Sequence, residues 1–401
     1  MKKTFPAILV ILITFCMGLN EAGAIPAFAR RYKMSCTTCH APFPKLKPYG
    51  DDFAGAGFIL KEEEKPRDYI AAGDDLLWLN RHFPVGVRFD AYMMYDEKRD
   101  VDKDLQVPWG LKIMSGGTLY KNIGYYFYFY LSERGEVAGI EDAYVHFDDI
   151  FKLPIDVMVG QFQTSDPLMK RELRLTFEDY MIYKQHVGLS TTNLAYDRGV
   201  MLVLGLARTG TDIIGMAVNG NGKPEADENQ KFDSDKYKNF GLRIAQSIGD
   251  FASIGGFYYW GKERGAGGDP FNELTYWGPD LNIGLGPLEF TVQYLERRDS
   301  NPFFASMGAI KTKGIVAEAI FAPQGDRSRV YFTALYNQID SGLDDLPDDV
   351  LLAAEVERIN YKTATLSVSY LVARNLRLVA EYTRDLRRDA NRFAMGFVSG
   401  F

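Results

Sequence analysis

From Pro84 to the C-terminus the chain alternates apolar and polar residues with a period of two. Between Tyr361 and Arg374, Ala364, Leu366, Val368, Tyr370 and Val372 alternate with Thr363, Thr365, Ser367 and Ser369. Between Pro287 and Glu296, Leu288, Phe290, Val292 and Tyr294 alternate with Glu289, Thr291 and Gln293. Between Asn122 and Ser132, Ile123, Phe127, Phe129 and Leu131 oppose Tyr126, Tyr128 and Tyr130. Successive side chains of a strand point to opposite faces, so this is a strand's period and not a helix's. About sixteen such runs start near residues 84, 106, 121, 139, 153, 196, 209, 236, 251, 272, 286, 308, 327, 360, 375 and 390.

The connections between the runs alternate in length. Ala207–Gly210, Ile248–Asp250, Gly284–Gly286 and Ala373–Asn375 are short; Gln163–Leu194, Asn219–Asp235, Lys262–Asn272 and Ser341–Glu357 are long. Short turns on one side and long loops on the other are the habit of transmembrane barrels. Arg88, Asp90, Arg377 and Glu381 lie on polar faces whose opposite faces are apolar. The lumen of a barrel accepts such charges, whereas the dry core of a soluble sandwich or propeller does not. The last run places Phe393, Met395 and Phe397 on one face and ends at Phe401. The expected fold is all-β: an antiparallel outer-membrane barrel of about sixteen strands over residues 81–401.

Residues 1–24 read as a secretory leader, with Lys2 and Lys3, an apolar stretch from Ala7 to Met17, and Ala22-Gly23-Ala24 before the cut. The apolar stretch is too short for a membrane anchor. One of the three cysteines, Cys16, leaves with the leader, so no structural disulfide or four-ligand zinc site can form beside Cys36 and Cys39. The formal net charge of −7 excludes a nucleic-acid partner, which requires a basic face. No Ser/His/Asp grouping, phosphate loop or metalloprotease motif is present.

What remains is Cys36-Thr37-Thr38-Cys39-His40. This Cys-x-x-Cys-His run is read as an attachment site for one covalent c-type haem. Each thiol bonds one vinyl-derived carbon of the porphyrin, and His40 reaches the iron as proximal ligand. The segment around it, residues 25–80, is too small to enclose a haem alone. It is expected to act as a plug at or inside the lumen. Pro42, Pro44 and Pro48 prevent a long helix directly after His40, and Asp51–Leu60 is expected to form a short one.

These parts together resemble the fused monohaem cytochrome–porins of the bacterial outer membrane. The local matches are Pro26–Arg30 before the motif, the motif itself, and Phe43–Leu46 with Gly50, Phe53 and Gly57-Phe58 after it. Over the barrel the resemblance is one of length and pattern. It implies an outer-membrane protein in contact with lipid, its haem segment periplasmic or in the lumen. It also implies electron transfer from extracellular Fe(II), or another redox partner, to a soluble periplasmic cytochrome, that is, an iron-oxidising cytochrome. The direction of flow is open, and outward transfer or a porin with a redox-sensitive plug are the alternatives.

The iron's sixth ligand is open as well. Met94 and His146 fall on lumen faces and His82 precedes the first strand, so all three are candidates; Met34 lies too close to Cys36 to fold over the ring. Two acidic clusters, one over 227–235 and one at Asp344, Asp345, Asp348 and Asp349, offer hard oxygens to Fe²⁺, Ca²⁺ or Mg²⁺, or simply solvate their loops. The long insertion Gln163–Leu194 either enters the lumen or caps the barrel outside.

Overall fold

The computed structural model describes residues 27–32, 34–60, 69–70, 79–80, 83–98, 101–265, 270–305 and 308–401. The leader at 1–24, the charged stretch 61–66 and His82 lie outside the described residues. Among the described residues, sixteen antiparallel strands pair in sequence order and close on themselves. They are β1 (Val85–Asp96), β2 (Lys103–Tyr120), β3 (Ile123–Glu133), β4 (Gly139–Phe147), β5 (Ile155–Phe162), β6 (Asp197–Leu206), β7 (Thr211–Val218) and β8 (Asn239–Ile248). The other half is β9 (Ala252–Arg264), β10 (Phe271–Leu285), β11 (Leu288–Asp299), β12 (Ile310–Phe321), β13 (Val330–Ser341), β14 (Tyr361–Ala373), β15 (Leu376–Asp385) and β16 (Ala390–Gly400). No start departs from its expected position by more than three residues.

The ring closes where β16 meets β1, with Phe397 opposite Ala91 and Val398 opposite Asp90. Val87 and the terminal Phe401 exchange backbone hydrogen bonds of 2.6 and 2.8 Å. Closure leaves no strand edge unpaired, the condition for spanning a bilayer with strands.

The distribution of side chains is the reverse of a water-soluble protein's. On β14, Thr363, Thr365, Ser367 and Ser369 are buried while Leu366, Val368, Tyr370 and Val372 are exposed. Arg88, Asp90, Arg377 and Glu381 are likewise buried. Apolar residues face out and polar ones face in, as a lipid-facing wall requires. About ten to twelve residues at about 3.3 Å each, tilted by about 40°, span roughly 25–30 Å, the depth of the apolar slab.

Both chain ends of the barrel lie at the tight-turn end. There, 286–287 joins β10 to β11, and Gly286 takes a left-handed φ of 59° that favours glycine. At the opposite end 163–196, 219–238 and 342–360 form long loops.

The lumen is filled. The 163–196 loop turns inward and crosses it. The Glu381 carboxylate on β15 accepts from the Phe177 and Glu178 amides at 2.7 and 2.9 Å. Arg377 donates to the Leu175 carbonyl at 2.7 Å, and Tyr180 donates to Glu318 on β12 at 2.8 Å. Tyr180, Tyr183 and Leu194 pack with Val316, Leu335, Tyr259 and Tyr276 into an apolar cluster inside the barrel. The insertion therefore enters the lumen. Sequence could not decide this, because many of the bonds that hold it come from strands more than 100 residues away.

The N-terminal segment contributes α1 (Ala27–Tyr32), α2 (Cys36–Cys39) and α3 (Pro48–Gly55). The expected helix at 51–60 thus begins and ends earlier. Pro48 sits in the first turn, where its missing N–H is not needed. The end is a left-handed Gly57 with φ 65°, beyond which the Phe58 amide donates to Phe53 O at 2.9 Å and the Gly57 amide to Ala54 O at 3.0 Å. The Phe53 and Phe58 rings meet edge-on at 5.6 Å and complete this helix-terminating motif.

Candidate functional site

Ser35 starts the motif turn: its Oγ accepts from the Thr37 amide at 3.4 Å. One turn later the His40 amide donates to Cys36 O at 2.8 Å. Cys36 and Cys39 are three positions apart on this turn, so their side chains share a face. Neither is in a disulfide. Burial raises both thiol pKa values above normal, the opposite of the lowered thiolate of a redox Cys-x-x-Cys.

The His40 ring faces the Pro44 and Lys45 carbonyls with Nδ1, at 3.0 and 3.3 Å. Carbonyls only accept, so Nδ1 carries the proton and Nε2 is left bare for a metal. Burial lowers the His40 pKa and keeps the imidazole neutral, although both carbonyls act in the other direction.

Several contacts fix this turn in the tight-turn mouth of the barrel. The Lys47 amide donates to Cys39 O and its ammonium to Thr37 O, both at 2.8 Å. That ammonium also pairs with Asp326 in the β12–β13 turn at 2.6 Å. Lys45 pairs with Glu289 at the start of β11 at 2.8 Å. Phe43 meets His40 edge-on at 5.3 Å and lies against Gly400 at the end of β16. A side chain on Gly50 would collide with the Cys39 carbonyl, so α3 rests directly on the motif.

The motif opens on a cavity with about 1430 Å³ of space between atoms, solvent-open part included. Met34, Cys36, Cys39, His40, Phe43 and Phe58 line it from the segment, and Lys112, Met114, Tyr126, Tyr128, Asp142 and Tyr144 from β2–β4. Asp166, Lys170 and Glu172 close it from the inserted loop. The buried Asp142 Oδ1 has no hydrogen-bond partner among the described residues. Two unpaired thiols on one face, a histidine with bare Nε2 and a mostly apolar chamber fit a covalent haem.

Of the sixth-ligand candidates, Met94 and His146 lie on lumen faces as expected but outside the cavity lining, and His82 lies outside the described residues. Met94 lies six residues beyond the cavity-lining Arg88 on β1, about 20 Å along the strand. His146 is buried on the lumen face beyond Tyr144, and it too is absent from the lining. Met34 and Met114 do line the cavity. Proximity in sequence argued against Met34. Met114 shares its inward parity on β2 with Lys112 and Gly116, which also line the cavity.

Both acidic clusters hold their own loops. Asp227 accepts from the Asn229 and Lys231 amides at 2.8 Å, and Asp235 accepts from the Tyr237 and Arg264 amides. Asp344 accepts from the Ile359 amide at 2.8 Å and pairs with Arg387 at 3.0 Å. The loop at 163–196 is anchored by ion pairs that the sequence did not single out. Glu172 accepts from Lys112 at 3.1 Å and Tyr130 at 2.8 Å, and Asp179 pairs with Arg171 at 2.7 Å.

No family model and no curated relative matches the chain. Solved structures do. An anion-selective porin from Comamonas acidovorans superposes with a TM-score of 0.55 at 11% identity, covering 80% of this chain and 99% of the porin. A loop-deletion mutant of the Vibrio cholerae outer membrane protein OmpT gives 0.53 at 14% identity, over 80% and 99%. The Acinetobacter baumannii outer membrane channel DcaP gives 0.52 at 15%, over 79% and 96%. The chain therefore has the sixteen-strand fold of outer-membrane porins.

Proposed function

We propose that this is an electron-transfer protein of the bacterial outer membrane, in which Cys36, Cys39 and His40 hold one haem c at the periplasmic mouth of the barrel. The observation that carries the reading is the shared chamber: the motif, the barrel wall and the inserted loop each supply part of its lining. Bound there, haem supplies a one-electron iron couple. His40 stays oriented through its Nδ1–H on the Pro44 and Lys45 carbonyls. Tyr126, Tyr128 and Tyr144 separate the chamber from lipid, and the loop closes it toward the cell exterior.

The donor we propose is extracellular Fe²⁺. Each Fe²⁺ gives up one electron and becomes Fe³⁺, and one electron leaves for an oxidised soluble cytochrome on the periplasmic side. Mixing the purified, oxidised protein with Fe²⁺ is expected to produce the reduced haem spectrum. A haem that stays oxidised under Fe²⁺, yet is reduced by a strong chemical reductant, overturns iron as donor.

Met34 or Met114, the two methionines that line the chamber, would supply a thioether as a second protein ligand beside His40. The absorption band of a sulfur–iron(III) bond is expected to disappear in either Met34→Leu or Met114→Leu. If both variants keep the parent spectrum, neither methionine is the ligand.

A porin whose segment is a plug is the second reading, favoured by the fold and the polar inner wall. Liposomes carrying the protein are expected to take up small solutes slowly, because the loop crosses the lumen. Fast uptake independent of redox state would favour the porin.

A further inference from the structure

We propose that His146, Asp148 and Asp156 form a divalent-cation site at the seam between the N-terminal segment and the barrel wall. This inference goes beyond the electron-transfer reading and does not depend on haem. One ligand atom from each of the three residues lies within 4.8 Å of the others. His146 is the last inward-facing residue of β4 and is only 2% exposed. Neither of its ring nitrogens has a hydrogen-bond partner among the described residues. A buried imidazole with both nitrogens unsatisfied is costly, and native structures supply such a group with a partner.

The haem chamber does not supply one, since His146 is absent from its lining. The two carboxylates do lie within reach, and the backbone holds both. The Asp148 amide donates to Asn122 O at 2.8 Å, which fixes the turn after β4. Asp156 on β5 accepts from the Asp149 amide through Oδ1 at 2.8 Å, which orients its carboxylate across the same turn.

One imidazole and two carboxylates suit Zn²⁺, Co²⁺, Mn²⁺ or Fe²⁺ better than Ca²⁺ or Mg²⁺, which favour all-oxygen sets. Metal–ligand bonds of about 2.0–2.2 Å in a tetrahedral set put ligand atoms about 3.4 Å apart, so rotation of the two carboxylates toward the imidazole seats the ion. The site also bears on the segment. Gly57 lies on the imidazole so closely that a Cβ there would stand 2.9 Å from the ring. Gly57 ends α3, and α3 rests on Cys39, so an ion that fixes the His146 ring also fixes the seat of the motif.

Co²⁺ is the probe. Full-length purified protein, freed of metal by a chelator, is expected to bind one Co²⁺ per chain with micromolar or tighter affinity. Equilibrium dialysis and the visible cobalt spectrum report it, and Zn²⁺ is expected to displace it. His146→Gln and Asp156→Asn are each expected to weaken binding at least about tenfold while leaving the haem spectrum unchanged. Two substitutions guard against one that fails to fold. Absence of bound Co²⁺, or parent affinity in both variants, overturns the site. So does a sulfur-to-cobalt charge-transfer band, which places the ion at Cys36 and Cys39. A haem that binds carbon monoxide in His146→Gln but not in the parent overturns it too, because it makes His146 the iron ligand that was lost.

Discussion

Serine at both Cys36 and Cys39 is expected to leave a folded barrel with no covalent haem. Haem staining after denaturing electrophoresis reads this directly, and the expected loss is complete. Each single variant keeps one thioether and is expected to retain stain with a shifted reduced spectrum. His40→Ala keeps both thiols, so its haem stays attached. It loses the ligand whose Nδ1 is held by the Pro44 and Lys45 carbonyls, and the iron is expected to bind carbon monoxide. Undiminished stain in the double variant, or a wild-type protein made with the attachment machinery that shows none, would end the proposal that this motif holds haem. The barrel itself is expected to survive all these changes, because its ladder closes between β16 and β1 independently of the segment.

Asp179→Asn is expected to cost more stability than any surface change. Asp179 is 5% exposed and lies at 2.7 Å from Arg171 and at 3.2 Å from both Arg134 and Lys184. Burial alone would raise its pKa; Arg171, Arg174 and Lys184 overcome this and hold it well below the ordinary carboxylate range. Removing the charge leaves several cations facing one another in the lumen, and breaking such a buried pair costs about 3–5 kcal/mol. The loop is then expected to leave its seat, seen as a lower unfolding temperature and a larger single-channel conductance. The pH dependence has a definite sign. The folded pKa is depressed, so the contribution is fully present above the unfolded carboxylate pKa of about 3.9. It is lost only as pH falls through the lower folded value. An Asp179→Asn protein with parent stability and conductance would show that the loop is held by its backbone contacts to Glu381 and Arg377 instead.

Much of the fold was legible in the residues. Alternation on β14 reads Thr363, Thr365, Ser367 and Ser369 against Leu366, Val368 and Tyr370, and these are the inward and outward sets observed. Period two survives translation into structure because a closed wall has one wet and one lipid face along its whole length. It fails where the ladder slips. The shift opposite Leu111/Lys112 inserts Leu131 as an extra residue on β3, so Tyr130 and Ser132 no longer pair at the spacing that alternation alone implies. The helix at Pro48–Gly55 was misplaced for a different reason. Its limits come from a proline tolerated at the start and a left-handed glycine at the end, and neither shows in an apolar period.

The placement of chemistry was less legible. Cys36, Cys39 and His40 announce themselves by spacing, since the attachment proposed for them is local in the chain. Met94 and His146 were placed on the correct face, yet a face does not specify a height. Along a strand each residue advances about 3.3 Å, so six residues separate Met94 from the chamber while Met114, on the neighbouring strand, reaches it. The sequence by itself determined a closed barrel with an N-terminal Cys-x-x-Cys-His segment, because covalent spacing and two-residue periodicity are properties of the chain alone. Tertiary structure decided that the 163–196 loop crosses the lumen and that the segment sits at the tight-turn mouth. It also decided that His146 meets Asp148 and Asp156 rather than the chamber. Each of these rests on pairing between strands, through buried charges and unsatisfied polar atoms whose partners are distant in sequence or set by register.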